Sequence, residues 1–142
     1  MLIRSAKDSD YEELMGLYNL FVESDRYSEH DSDSFHKVLN NPNNFIFIAE
    51  DEGAIIGFLT FSVRDVIRYP KQITEVDELF VLEEYRKHGV GKKLMEHMED
   101  KAKELNCHKI FIESSSEREG AHKFYESIGF INNGYHFIKN LS

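Results

Sequence analysis

Arg86-Lys87-His88-Gly89-Val90-Gly91 stands between an apolar strand-like run, Val76 to Leu82, and an amphipathic helical run that continues to Leu105. This junction suits a phosphate. Glycines at 89 and 91 let the backbone turn sharply and approach a ligand, and the first amides of the following helix have no intrahelical acceptor. The positive end of that helix, with Arg86, Lys87, Lys92 and Lys93 close by in sequence, favours an anion at the same place. Two nucleotide-binding signatures compete for the loop and both fail on spacing. A P-loop needs Gly-Lys followed by Ser or Thr, whereas Gly91-Lys92 is followed by Lys93. The dinucleotide fingerprint wants a third glycine where Leu94 stands.

The pattern that does fit is [RQ]-x-x-G-x-[GA] between strand and helix. A second segment follows at a consistent distance: after the short strand Lys109 to Glu113 comes Ala121-His-Lys-Phe124-Tyr125-Glu-Ser-Ile-Gly129-Phe130. The two together resemble the GNAT family of N-acetyltransferases, whose loop of this form grips the pyrophosphate of acetyl-coenzyme A and whose later helix carries an A-x-x-F-Y-x-x-x-G-F segment. The segment also has local reasons of its own. Ser116 and Glu119 can form a capping box, Ala121, Phe124, Tyr125 and Ile128 share a helical face, and Gly129 suits a left-handed C-cap. The resemblance covers roughly residues 45 to 138, and residues 1 to 44 match only in being rich in helix.

If the resemblance holds, the chain is an acetyl-CoA-dependent N-acetyltransferase working by direct attack in a ternary complex. Cofactor contacts then fall on Leu79, Phe80, Val81, Arg86, Lys87, His88, Gly89, Val90, Gly91, Lys92, Arg118 and Tyr125. Amides between Leu79 and Val81 would polarise the thioester carbonyl. One departure stands out. Many members place an asparagine after the 109 to 113 strand to hold the pantetheine arm, whereas this chain has Ser114-Ser-Ser-Glu117-Arg118, so a serine, Arg118 or backbone must make that contact.

Amide formation from a thioester requires a neutral amine, a stabilised oxyanion and a protonated leaving thiol. A lysine-like amine has a pKa of about 10.4, so a base or another proton route is needed; a phenol, at about 10, can protonate a departing thiolate. Tyr125 is either that phenol, as the resemblance implies, or a core aromatic beside Phe124. Four carboxylates compete as base: Glu75, Asp77, Glu78 and Glu113. Plain strand alternation puts Glu75 and Asp77 on one face and Glu78 on the other. By the resemblance, Glu75 matches the strand glutamate of the histone-acetylating branch, and Glu113, twelve residues before Tyr125, has the spacing of the base and acid of the ribosomal-protein acetylating branch. Each is otherwise a surface or salt-bridged carboxylate, and a chain of waters could replace them all.

These residues need a scaffold. At 142 residues with 41% hydrophobic content and two prolines, the chain is sized for a single N-acetyltransferase domain over residues 1–142. Leu2 to Arg4 reads as a strand. Ser9-x-x-Glu12 can cap a helix whose apolar face is Tyr11, Leu14, Met15, Tyr18, Phe21 and Val22, and a shorter helix spans Phe35 to Leu39. Phe45 to Glu50 and Ala54 to Arg64 form a hairpin across Asp51-Glu-Gly53, and Phe130 to Ile138 supplies a last hairpin or paired strands. The section from 75 to 113 is a crossover unit with parallel or nearly parallel strands. The expected class is α/β (α+β): a mixed, mostly antiparallel sheet with helices on both faces.

Composition narrows the partners. Residues 1 to 53 carry a balance of −8 and residues 54 to 142 only −1, and Glu23, Asp25, Glu29, Asp31 and Asp33 cluster in the first part. A negative field of this kind draws in a cationic acceptor, such as a polyamine, an aminoglycoside-like amine or a peptide amine; ordinary acidic solubility is the other reading. Nucleic acid is disfavoured, since no basic stripe with aromatic platforms is visible. No run reaches a membrane span and the N-terminus lacks a signal-peptide core, so a cytoplasmic protein is expected. Cys107 is a lone cysteine and the seven histidines show no ligand spacing, so no metal is expected. The quaternary state stays open, a homodimer included. Two rivals remain: an acyl-CoA-binding sensor that transfers nothing, and a transferase of a longer acyl group.

Overall fold

The computed structural model describes residues 1–21, 32–113, 119–134 and 137–141. It falls into two compact units, Met1–Phe111 and Ile112–Ser142. The elements run β1 (Leu2–Ser5), a 3-10 turn (Asp8–Asp10), α1 (Tyr11–Phe21), α2 (Asp33–Asn40), β2 (Asn44–Asp51), β3 (Ala54–Arg64), β4 (Ile73–Val81), a second 3-10 turn (Glu83–Tyr85), α3 (Val90–Glu104), β5 (Ile110–Ile112) and α4 (Glu119–Ser127). The five strands form one sheet in sequence order, with β1 to β4 mutually antiparallel. Where β4 begins, the His108 amide donates to Gln72 O and the Thr74 amide to Lys109 O; these ascending partners make β5 parallel to β4. The expected mixed sheet is present.

Helices cover both faces because the strands alternate two apolar sets. Ile46, Ile48, Phe58 and Phe80 pack with Leu14 and Leu17 of α1 and Phe35 of α2. On the other side lie Phe47, Leu59, Phe61 and Val76, with α3 supplying Val90, Leu94, Met95, Met98 and Ala102 at helical spacing. The β2–β3 turn uses Glu52 and Gly53, both at positive φ (49° and 81°), the two-residue hairpin geometry read from the sequence.

Three local readings are corrected. The first helical turn is organised by Asp10, which accepts the Lys7 amide at 2.8 Å and two bonds from the Arg4 guanidinium, rather than by a Ser9–Glu12 box. Asp10 is 6% exposed, so the short carboxylate reaches both the turn and the arginine inside the structure. No strand forms at 130–134 or 137–141, where a last hairpin was expected, and Ile131, Phe137 and Ile138 are exposed, so they lack the burial on one face that holds a strand in register. The Ser116 cap, like Ser114, Arg118 and the acidic residues Glu23 to Asp31, lies outside the described residues.

The third correction concerns β4. Thr60 pairs with Glu78 and Phe61 pairs with Val76, so Asp77 is an extra residue, a β-bulge. A bulge shifts the alternation by one. Glu75, opposite Ser62, and Glu78, opposite Thr60, therefore share the face that carries Phe58, whereas unbroken alternation would put them on opposite faces.

Candidate active site

The bulge gathers three of the four candidate carboxylates, each in a different environment. Glu75 is engaged by Arg64, whose Nη1 lies 2.9 Å from Oε1. Glu78 accepts the Tyr18 hydroxyl at 2.6 Å and the Thr60 hydroxyl at 2.7 Å, both on Oε1. Asp77 reaches the surface, yet its carboxyl is held above the ordinary aspartate range. Partial desolvation against the strands is the first cause, and the charges of Glu75 and Glu78 add to it; a hydrogen bond from Ser62 and the charge of Arg64 oppose it. A carboxylate of raised pKa is a better proton acceptor, so Asp77 is the strongest candidate base of the three.

Further along β4, Leu79, Phe80 and Val81 pair with Leu59, Phe58 and Gly57. The Leu82 amide donates to Ile56 O at 2.9 Å. Since bonding residues alternate along an antiparallel ladder, the amides of Phe80 and Glu78 also turn toward β3, and those of Leu79 and Val81 point to the opposite edge. The backbones lie close here: a Cβ on Gly57 would sit 2.9 Å from Phe80 O, which requires glycine. Two outward amides separated by one residue can polarise a carbonyl set between them.

The loop after β4 turns through two left-handed residues, Lys87 (φ 64°) and Gly89 (φ 82°). For a lysine this conformation costs about 1–2 kcal/mol. Arg86 braces it, with Nε 2.8 Å from Val81 O and its guanidinium 5.4 Å from the Phe80 ring centre. Lys87, His88 and Lys92 are exposed, whereas Val90 is buried and anchors the start of α3. The Lys93 amide bonds to Gly89 O at 3.0 Å, so the amides of Val90, Gly91 and Lys92 leave the helix end without an intrahelical acceptor. Left-handed residues beside amides without an intrahelical acceptor are a backbone arrangement that can take an anion such as a diphosphate.

Glu113 and Tyr125 belong to the second unit. Tyr125 sits on α4 with its ring 5.6 Å from Phe124 and 6.1 Å from Phe130. Its carbonyl accepts the amides of Ile128 and Phe130, closing the helix through Gly129 (φ 100°) as the sequence indicated. Residues that sequence reasoning had not singled out for chemistry are Tyr18, Thr60, Ser62 and Arg64, the partners of the carboxylates. For Tyr18 a signal existed: a tyrosine on a buried helical stripe needs a partner for its hydroxyl. Among the described residues, no group of three or more His, Cys, Asp or Glu is arranged to hold a metal ion, and no helix is long and apolar enough to cross a membrane.

Comparison with known proteins agrees with this geometry. The acetyltransferase (GNAT) family profile matches residues 12–130. Among curated relatives, the chain is 26% identical over 109 residues to an aminoalkylphosphonate N-acetyltransferase of Salmonella typhimurium, covering 77% of this chain and 71% of that one. It is 30% identical over 137 residues to an uncharacterised N-acetyltransferase of Bacillus subtilis, covering 92% and 89%. Among solved structures, an aminoglycoside acetyltransferase from an uncultured soil metagenomic sample, in complex with sisomicin, superimposes with a TM-score of 0.88 at 25% identity, covering 99% of this chain and 96% of that one. With the profile spanning most of the chain and these N-acetyltransferases among its relatives, the chain belongs to the acetyltransferase (GNAT) family and is an acetyl-CoA-dependent N-acetyltransferase.

Proposed function

We propose that residues 1–142 act as a single catalytic domain that moves the acetyl group of acetyl-CoA to a primary amine on a cationic small molecule or peptide, by direct attack in a ternary complex. The observation that carries this reading is the carboxylate cluster at the β4 bulge, on the strand that runs directly into the anion-binding turn. The turn of Arg86 to Lys92 holds the diphosphate and the amides of Leu79 and Val81 polarise the thioester carbonyl. Asp77 takes a proton from the ammonium, and the neutral nitrogen forms the new N–C bond. As the C–S bond breaks, Tyr125 protonates the departing thiolate, and the second proton released by the nitrogen as it becomes an amide restores the phenol. The amines named for two relatives, an aminoalkylphosphonate and an aminoglycoside, support a small-molecule acceptor. The −8 balance of residues 1 to 53 supports a cationic one. We place the enzyme in the cytoplasm, where acetyl-CoA is made available.

The test is a panel of cationic and neutral amines, following free thiol release from acetyl-CoA with coenzyme A binding measured in parallel. The expected result is binding plus turnover confined to cationic amines, with kcat/KM falling as salt rises. Binding without turnover of any amine would overturn the reading.

A further inference from the structure

We propose that Glu78, fixed by Tyr18 and Thr60, holds a second ammonium of the acceptor, one that does not react, so that the natural substrate carries at least two cationic nitrogens. This rests on the reading of Asp77 as base and an amine as acceptor. The observation behind it is the asymmetry of the Glu78 carboxylate. Both hydroxyls donate to Oε1, at 2.6 Å from Tyr18 and 2.7 Å from Thr60, while Oε2 takes no bond from any described residue. The donors come from separate elements, α1 and β3, and the Tyr18 ring is itself locked by stacking on Phe58 at 4.5 Å. Glu78 is half-buried rather than enclosed.

Two short bonds from separate elements suit a carboxylate whose task is to hold one orientation. The reacting nitrogen must instead lose its proton, and a rigid carboxylate bound to it would oppose that loss. Asp77, crowded by two like charges, is the better proton acceptor, and its neighbour Glu78 the better anchor. The adjacent positions on one bulge place an anchored cation and a nucleophilic nitrogen within one short molecule. Tyr18 is then a positioning residue acting through Glu78, and the bulge a specificity device: without it the two glutamates would lie on opposite faces of the sheet.

The experiment compares 1,4-diaminobutane with butylamine as acceptors, in the wild type and in Tyr18→Phe, Thr60→Val and Glu78→Gln, alongside acetyl-CoA affinity by calorimetry and melting temperature. The wild type should prefer the diamine in kcat/KM by roughly tenfold or more, the effect of one charge-assisted bond. Glu78→Gln should erase most of that preference. Tyr18→Phe should reduce it through KM rather than kcat, with the coenzyme affinity kept, and combining it with Thr60→Val should add less than the sum. An equal loss for both amines would overturn the anchoring role and leave Glu78 as a structural group. A wild type that turns over both amines without preference would also overturn it, while leaving the N-acetyltransferase reading intact. Failure to turn over any amine would remove that broader reading first.

Discussion

Arg86 Nε donates to the carbonyl of Val81 at 2.8 Å, tying the first residue of the anion-binding turn to the last residue of β4. The end of β4 and the turn proposed to take the diphosphate are thereby one braced piece of backbone. Such a brace limits the conformations open to the turn, which lowers the ordering cost of any ligand it takes.

Gly89→Asp should abolish coenzyme A binding in a folded protein. Gly89 adopts φ 82°, and a Cβ there would meet nothing within 4 Å, so the fold bears only conformational strain of about 1 kcal/mol. Gly89→Ala carries the same strain without the charge and should weaken binding much less. Calorimetry on the two variants separates charge from backbone, and equal affinities would show that the diphosphate lies elsewhere.

Asp77→Asn should lower kcat/KM by about 10²- to 10⁴-fold, the usual contribution of a general base. Because the Asp77 pKa is raised, the acid limb of the wild-type pH profile should lie above the ordinary aspartate range and disappear in the variant. The stability effect has the opposite sign. A raised pKa contributes stability below the unfolded value of about 3.9 and loses it as pH rises through the folded value. At neutral pH the variant should therefore be at least as stable as the wild type. A variant that retains the wild-type acid limb would assign the base to another group.

Tyr125→Phe should lower turnover while leaving acetyl-CoA affinity nearly intact, since the ring contacts with Phe124 and Phe130 survive. Measured where chemistry limits the rate, the loss expected for removal of a general acid is about 10²-fold or more. Unchanged single-turnover rates would return Tyr125 to the role of a packing aromatic.

Asp10→Asn should destabilise the fold by about 1–3 kcal/mol at pH 6, since a buried carboxylate bonded to Arg4 and the Lys7 amide loses its charge. The bonds from Arg4 hold the Asp10 pKa below its usual value. That stabilisation is present above about pH 3.9 and is lost as pH falls through the folded value. Urea unfolding of both proteins should show the gap closing below pH 4. A gap that stays constant with pH would mean that shape rather than charge is what Asp10 provides.

The sequence by itself determined the features governed by local rules. Continuous apolar runs set β2 and β3, apolar residues at helical spacing set α3, and Asp51-Glu52-Gly53 gave the hairpin turn between the two strands. The glycine pattern of 86 to 91 located the left-handed turn before α3, because such geometry at a strand-to-helix junction leaves few residue choices. What tertiary structure decided was the face on which each carboxylate lies. A bulge depends on the register between β3 and β4, and register is a property of two strands paired in three dimensions. Hence Glu78 joins Glu75 on one face and Asp77 is left between them. The hydroxyls of Tyr18 and Thr60 reach Glu78 across 60 and 18 residues of chain, separations that no periodicity encodes. Asp10 shows the same division on a smaller scale: its turn-forming role is local, but its burial against Arg4 follows from β1 pairing with β2, which brings Glu50 to the same guanidinium.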